Sequence, residues 1–274
     1  MHLTDEQYRG VMRKGWNLTP PLYDQLWIPV LRAYSTGCVE RASIRPGDRV
    51  LDVATGPGTT ALIAAERVGP GGSVLGTDIS DRFIEVASTA AAGHANLRFA
   101  RHPMEALALA DSSFDAATCV LGLMFAAPIS SALNEIARVL VAGGRFAACV
   151  WGRREACGFR DFFPILGRYL QTEVCPLFFA LGVPGAFAQS LERAGLVDAR
   201  EERTAATLKW RDPDEACAAI FDGEPGALPF SMFSEPMRRA VRDEYVSSLE
   251  PYRRGTGFEV EAEFVYGTAR KPRA

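Results

Sequence analysis

The amino-acid sequence predicts an α/β fold built on a doubly wound, mainly parallel sheet. Between residues 49 and 151, five short apolar runs alternate with segments of helical character. A glycine-rich turn follows the first run and leads directly into a helix. Such alternation is typical of βαβ units, in which helices cover both faces of a parallel sheet.

The first predicted strand, residues 49–54, is β-branched and apolar and follows a Pro-Gly turn signal. Residues 59–68 are rich in alanine and leucine and are predicted to be helical. In the helix predicted at 81–92, Ser80 or Asp81 is the expected cap. The same periodicities predict the other elements of this region, namely strands at 73–78, 97–100, 114–121 and 145–151, a helix at 130–140 and a short helix or loop at 104–109.

Outside this region the alternation lapses, and the flanking segments are helical and aromatic. A helix at 184–194 and strands at 199–210 and 259–269 are predicted, whereas 211–255 is helical but interrupted by prolines. We therefore expect a single domain over 1–274. Its expected parts are a cofactor-binding core at 43–152, a helical cap from 1–42 (broken at Pro20-Pro21), 153–183 and 211–255, and a closing helix and strands at 184–210 and 256–270.

Composition excludes several classes of protein. The formal net charge is −3 and there is no Lys/Arg tract, which argues against a nucleic-acid partner. The polar, acidic start lacks the features of a secretion signal, and no apolar run approaches the ~20 residues that span a bilayer. The sequence thus predicts a soluble, cytoplasmic protein without a membrane partner. The aromatic N-terminal segment could contribute to a homodimer.

The cysteines do not form a metal-binding pattern. There are six, without a Cys-x-x-Cys pair, and the chain has three histidines, so a structural zinc site is not expected. Cys119 and Cys149 lie in apolar runs and are interpreted as core residues. Cys157, Cys175 and Cys217 lie outside those runs, where a soft metalloid ligand is a minor alternative.

The turn after the first strand indicates a ligand site but does not by itself identify the ligand. Gly56 and Gly58 let the backbone approach a ligand at a helix N-terminus, as in dinucleotide-binding folds. Two features argue against NAD: Ala54 stands where a first glycine is expected, and Asp52 would repel a pyrophosphate. A cationic amino-acid ligand tolerates that carboxylate. The alternative for Asp52 is a carboxylate hydrogen-bonded within its strand.

A second carboxylate ends the next predicted strand. Asp78 is placed to accept hydrogen bonds from two ribose hydroxyls, a feature shared with NAD-binding proteins. The alternative is that Asp78 caps the following helix.

Taken together, these segments resemble the class I S-adenosylmethionine-dependent methyltransferases of Rossmann-like fold. Within that class they are most similar to the ubiquinone/menaquinone-biosynthesis type. The resemblance covers about residues 45–152. It rests on Leu51–Gly58, Gly76–Ser80, Met104–Leu107, Asp111–Asp115 and Arg138–Arg145, in order and with family spacing.

The resemblance implies a seven-stranded sheet whose last strand, 259–269, runs antiparallel beside 199–210. It implies S-adenosylmethionine as the cofactor and roles for the matched residues. Asp52, Ala54, Gly56 and Gly58 would surround the methionine part, Asp78 would hold the ribose, Ile79 and Met104 would contact the adenine, and Leu121 would lie beside the methyl donor. One departure is Pro103, which replaces the usual acidic residue before Met104, so apolar packing, Met104 or His102 must hold the adenine. His102 could instead face solvent.

The implied activity is methyl transfer to a carbon or oxygen of a small, largely apolar metabolite, for example a quinone, polyketide, aromatic or isoprenoid of secondary metabolism. Aromatic residues of the cap suit the wall of an apolar pocket, although most of them are expected to pack in the hydrophobic core. Three alternatives remain: a methyltransferase of a macromolecule, a non-methylating lyase or cyclase that binds the cofactor, and a nicotinamide-dependent oxidoreductase. No catalytic residue is identified. Tyr23 and His102 are weak candidates for a base, and no metal is expected.

Overall fold

The computed structural model describes residues 4–172 and 174–273, and a mixed sheet forms its centre. Seven strands follow the order β3-β2-β1-β4-β5-β8-β6, and β8 runs antiparallel to both of its neighbours. The fold class and the antiparallel last strand are therefore confirmed. The strands are β1 (Arg49–Val53), β2 (Ser73–Asp78), β3 (Leu97–Arg101), β4 (Phe114–Val120), β5 (Leu140–Trp151), β6 (Val197–Trp210), β7 (Arg253–Arg254, which pairs only with β8 and was not predicted) and β8 (Gly257–Arg270).

Local capping explains where several helices begin. The Thr4 side chain and Gln7 form a capping box at the first helix, and the Ser80 hydroxyl accepts from the Phe83 N–H at the fifth. The helices break near the prolines as predicted, and Pro20, Pro21 and Pro236 lie in the first turn of the helix that follows each break, where the missing N–H costs nothing. The helices are α1 (Asp5–Trp16), α2 (Pro20–Leu26), α3 (Ile28–Arg41), α4 (Thr59–Val68), α5 (Asp81–Ala90), α6 (Ile129–Val139), α7 (Phe162–Leu170), α8 (Ala186–Arg193), α9 (Pro213–Phe221), α10 (Ala227–Ser231) and α11 (Glu235–Ser248).

Both faces of the sheet are buried. Val50 and Leu51 are each inaccessible to solvent, although neighbouring residues of a strand point to opposite faces. They belong to two separate apolar cores. Helix α4 packs on β1 and β2, whereas α6 and α8 pack on β5 and β6 respectively. The carboxyl ends of the parallel strands are left for a ligand site, as in other doubly wound sheets.

One strand boundary differs from the expected one. The strand predicted at 145–151 begins at Leu140, which pairs with Phe114 before a bulge shifts the register to Arg145 opposite Ala116. Residues 141–144 are accommodated in this bulge, where Gly143 has a positive φ of 74°. The glycine pair therefore lies inside β5 rather than ending the preceding helix.

The N-terminal segment divides into two structural parts. Helix α3 packs on α4, β4 and β5 and buries Leu31, Cys38 and Val39, so it covers the sheet. Helices α1 and α2 contact α5, α9 and α10 instead. We propose that the cap consists of α1, α2, α7 and α9–α11. The N-terminal part of the cap then ends with α2, whereas the sequence predicts that it extends to residue 42.

Candidate cofactor pocket and adjoining cavity

A pocket of about 640 Å³ opens at the carboxyl ends of β1, β2 and β4. It brings together six of the eight predicted cofactor-binding residues and both weak catalytic candidates. Its lining residues are Arg9, Met12, Trp16, Tyr23, Ala54, Gly56, Asp78, Ile79, Phe83, His102, Met104, Glu105, Val120, Leu121, Gly122 and Phe125.

The turn between β1 and α4 reaches the pocket through left-handed backbone. Ala54 and Gly56 both line the pocket and have φ values of 54° and 55°. Leu121, at the end of β4, has a φ of 52°. Positive φ at non-glycine residues costs free energy and is frequent at ligand sites. This strained backbone therefore marks the pocket independently of its side chains.

Gly58 serves the packing of the turn and does not line the pocket. Its φ is 90°, and a Cβ there would stand 3.0 Å from the Phe99 ring and 3.2 Å from the Ala87 side chain. Glycine therefore lets α4 begin close to β3 and α5. Gly58 therefore affects a bound ligand by setting the position of the turn.

Asp52 also lies beneath the pocket rather than in its lining. Its carboxylate is buried and accepts hydrogen bonds from the Thr55 hydroxyl at 2.6 Å and the Thr118 hydroxyl at 2.8 Å. Burial, and to a smaller extent the nearby Asp78 charge, raises the pKa of Asp52 to about 6 against the lowering effect of both hydroxyls. Asp52 thus ties the turn to β4, which corresponds to the strand-bound alternative.

Asp78 faces the pocket with acceptor capacity to spare. One carboxylate oxygen accepts from the Ser80 N–H at 2.8 Å and the other from the Gly56 N–H at 2.9 Å. A carboxylate oxygen can accept a second hydrogen bond, so Asp78 has capacity for further donors. Burial raises the pKa of Asp78 to about 6, opposed by these backbone donors. Because the Ser80 hydroxyl caps α5, Asp78 is not needed as the cap.

The loop after β3 forms a second wall. The His102 N–H donates to the Asp78 carbonyl at 3.0 Å, which holds the loop beside β2. Ile79, His102 and Met104 all line the pocket, so a flat apolar group has partners here despite Pro103. Gly122 forms the floor, where a Cβ would stand only 2.5 Å from the Ala54 Cβ.

Helices α1 and α2 supply a roof that sequence reasoning did not assign. Trp16 contacts Phe125 edge-on with ring centroids 5.1 Å apart, and Tyr23 contacts Phe83 in the same way at 5.4 Å. Met12 and Arg9, about one and two helical turns before Trp16, also line the pocket. The aromatic residues of the first 42 positions were the only sequence signal, and their spacing did not indicate which faced a ligand.

The surroundings of Tyr23 in this roof determine the protonation state of its phenol. Burial, followed by the charges of Glu224 and Asp78, raises the pKa of Tyr23 well above its ordinary value. The phenol stays protonated at neutral pH, so Tyr23 is suited to donate a hydrogen bond rather than to accept a proton.

A second, larger cavity with an empty volume of about 1660 Å³ adjoins the pocket. The two spaces share Met12 and Phe125 as lining residues. Most of the cavity wall is aromatic or aliphatic and comes from α1, α7, residues 174–178 and the 220–232 segment. Its polar and ionisable side chains are Tyr8, Thr172, Cys175 and Glu224, and its other members include Trp27, Trp151, Phe159, Phe162, Phe163, Phe178, Ile220, Leu228 and Met232.

The three cysteines considered as metalloid ligands lie in different parts of the fold. Cys175 lines the cavity, Cys157 donates weakly to the Glu263 carbonyl and Cys217 lies in α9. Across residues 4–172 and 174–273, no three His, Cys, Asp or Glu side chains are grouped to hold a metal ion. In the same part of the chain, no helix is both long and apolar enough to cross a membrane.

The sheet order, the left-handed turn after β1 and the acidic end of β2 are typical of the class I S-adenosylmethionine-dependent methyltransferases. Residues 50–144 match the family model described as a methyltransferase domain. The resemblance drawn from the sequence is thereby confirmed, and S-adenosylmethionine is the cofactor of this class.

Comparison with known proteins supports the same assignment. The chain is 37% identical over 119 residues to the ubiquinone/menaquinone biosynthesis C-methyltransferase of Geotalea daltonii, covering 42% of this chain and 50% of that protein. It is 36% identical over 158 residues to the 2-phytyl-1,4-naphtoquinone methyltransferase of Synechococcus elongatus, covering 57% of this chain and 66% of that protein. The chain thus spans about half the length of several curated relatives it matches.

Solved structures share the fold. The crystal structure of the YcgJ protein from Bacillus subtilis superimposes with a TM-score of 0.62 at 18% sequence identity. The superposition covers 88% of this chain and 100% of that protein. At this identity the likeness concerns the fold alone.

Proposed function

We propose that the protein transfers the methyl group of S-adenosylmethionine to a small, largely apolar acceptor bound in the aromatic cavity. The observation that carries this proposal is the contact between the two spaces, which share Met12 and Phe125. A cofactor in one space and an acceptor in the other would meet at this wall. The curated relatives act on quinone-type molecules by name, which suits an acceptor of this chemistry.

The residues of the pocket fit the cofactor. Each Asp78 oxygen accepts one backbone hydrogen bond and has capacity for a second from a ribose diol, and Ile79 and Met104 offer an apolar slot for adenine. Trp16 and Phe125 present rings that favour a nearby cation. Arg9 could pair with the carboxylate of the methionine part. When bound, S-adenosylmethionine supplies an electrophilic methyl group on a positively charged sulfur.

The chain's own contribution is orientation and exclusion of water. Trp16, Tyr23 and Phe125 pack edge to face above the pocket and limit access of solvent to the wall shared with the cavity. Holding two reactants in line in a dry site accounts for most of what such a displacement requires. A cytoplasmic location, the absence of a nucleic-acid partner and a homodimer remain predictions from the sequence.

Filling the cavity is expected to abolish transfer without affecting the cofactor. Leu228 lines the cavity and is partly buried, so Leu228→Trp should occupy acceptor space. We expect at least a tenfold loss of labelled methyl transfer to the organic-soluble fraction of a cell extract, with the dissociation constant of S-adenosylmethionine unchanged within twofold. Leu177→Trp is the matched control, because Leu177 is 37% exposed and lies outside the cavity lining. Equal transfer by both variants would show that the acceptor binds elsewhere.

A further inference from the structure

Among the described residues that line the aromatic cavity, Glu224 is the one carboxylate, and no side chain neutralises it. Among the described residues, no salt bridge or side-chain hydrogen bond involves Glu224, whereas Glu263, Glu201 and Glu135 are all engaged by arginines or backbone donors. A carboxylate among apolar side chains is costly unless it is paired. An unpaired carboxylate in a cleft is a candidate for a catalytic or binding role rather than for a structural one.

The fold holds Glu224 firmly in place. It lies in the connection between α9 and α10, where its carbonyl accepts from the Ala227 N–H at 2.9 Å. The Trp27 indole donates to the Ala219 carbonyl at 3.0 Å and so fixes the end of α9. Gly15 of α1 packs on Pro225 so closely that a Cβ there would stand 2.9 Å from the Pro225 carbonyl oxygen. A side chain on such a support is positioned without a mobile loop.

Glu224 lines the aromatic cavity, which adjoins the cofactor pocket. Its charge raises the pKa of the Cys175 thiol, which lines the cavity, and of the Tyr23 phenol, which lines the cofactor pocket. Among the described residues, the other titratable groups that line the same cavity are Tyr8 on α1 and Cys175. Burial also raises the pKa of Tyr8 and Cys175, so both stay protonated at neutral pH. Glu224 is the group of this set that can accept a proton.

We propose that Glu224 is the general base of the reaction and that the acceptor is an apolar aromatic or enolic molecule bearing an ionisable hydroxyl. This proposal rests on the methyl transfer proposed above. The acceptor's proton moves to a Glu224 oxygen, and the electron pair released forms the new bond to the methyl carbon. The pair of the broken sulfur–carbon bond stays on sulfur, giving a neutral thioether. Glu224 then releases the proton to solvent, so that one proton is produced for each methyl group transferred.

The electrostatic setting of Glu224 suits this role. Burial raises the pKa of Glu224 to about 8, within reach of neutral pH and nearer to that of a phenol than an ordinary carboxylate. A base matched to the working pH combines a usable ionised fraction with sufficient basicity. The ionised form predominates above about pH 8. Both proton abstraction and hydrogen bonding to a hydroxyl should therefore strengthen as the pH rises from 6 to 8.5.

Binding of simple probes tests the carboxylate independently of methyl transfer. 2-Naphthol carries a hydroxyl on an apolar ring system, and naphthalene is the same ring system without it. The wild-type preference for 2-naphthol should rise about fivefold between about pH 6 and pH 8.5, because a charged acceptor binds a hydroxyl more strongly than a neutral one. Glu224→Gln should show no such rise, Glu224→Asp should restore part of it, and Glu235→Gln, which changes an exposed residue of α11, should behave as wild type.

Kinetics then test the catalytic role. With the acceptor present in a cell extract, Glu224→Gln should lower the rate of labelled methyl transfer by about 100-fold or more, whereas S-adenosylmethionine affinity stays within twofold. A retained cofactor affinity also shows that the variant is folded. A flat wild-type probe preference, or a Glu224→Gln variant with the wild-type rate and pH profile, would overturn the assignment. Absence of transfer by the wild type, together with the expected probe response, would instead reject the proposed function and leave a hydroxyl-binding carboxylate.

Discussion

Replacing Asp78 with alanine is expected to weaken the binding of S-adenosylmethionine at least about 100-fold while the fold is retained. Each hydrogen bond to a charged group contributes about 1.5–3 kcal/mol, and each Asp78 oxygen can accept one hydrogen bond besides its backbone donor. Asp78→Asn keeps one oxygen acceptor and should lose less. Binding can be followed by calorimetry or by the fluorescence of Trp16, which lines the pocket. Asp111→Ala, at an exposed aspartate, is the control.

The pH dependence of cofactor binding provides a second test of the same residue. Burial raises the pKa of Asp78 to about 6, and the ionised carboxylate is the form that accepts two hydroxyl hydrogen bonds. Affinity should therefore be constant above about pH 7 and fall by up to tenfold for each pH unit below 6. Asp78→Asn should remove this dependence. Unchanged affinity in the alanine variant would eliminate Asp78 as the ribose partner.

Asp52→Ala is expected to act mainly on stability, lowering the free energy of unfolding by about 2–5 kcal/mol. The substitution leaves the hydroxyls of Thr55 and Thr118 without their shared acceptor in a buried site, and each unsatisfied group costs about 1–3 kcal/mol. Asp52→Asn should cost less because one oxygen acceptor remains. Denaturant unfolding measures the effect. Asp111→Ala, which removes a largely exposed partner of Arg138, should cost less than about 1 kcal/mol.

The comparison of the two aspartates separates their functions. If Asp52 serves as an internal brace, Asp52→Asn should bind the cofactor nearly as well as the wild type once it is folded. A loss of affinity as large as that of Asp78→Ala, without a loss of stability, would place Asp52 in direct contact with the ligand.

The central sheet was predictable because its signals are local. The buried runs at 49–54, 73–78 and 114–121 are short, apolar and bounded by turns, and each forms a strand within one residue of the expected bounds. The start of β5 was missed because a bulge is defined by pairing with β4 and leaves no pattern in the sequence itself.

The candidate site was predictable only in part because several of its features depend on distant contacts. The sequence places Asp52 in a strand, but the hydroxyl it binds belongs to Thr118, 66 residues away. The roof forms because α1 is fixed to α5, partly through the Arg13–Asp81 ion pair. Glu224 stands between Gly223 and Pro225 in a segment without periodicity, and its significance arises from the apolar walls that the fold assembles around it.

The most direct test of the account is the fate of a radioactive methyl group. Purified protein is incubated with methyl-labelled S-adenosylmethionine and a cell extract divided into small-molecule and macromolecular fractions, with Asp78→Ala as the control. We expect label in an organic-extractable small molecule with the wild type and at most a trace with the variant. Label in the macromolecular fraction, or no transfer by protein shown to bind the cofactor, would contradict methylation of a small apolar acceptor.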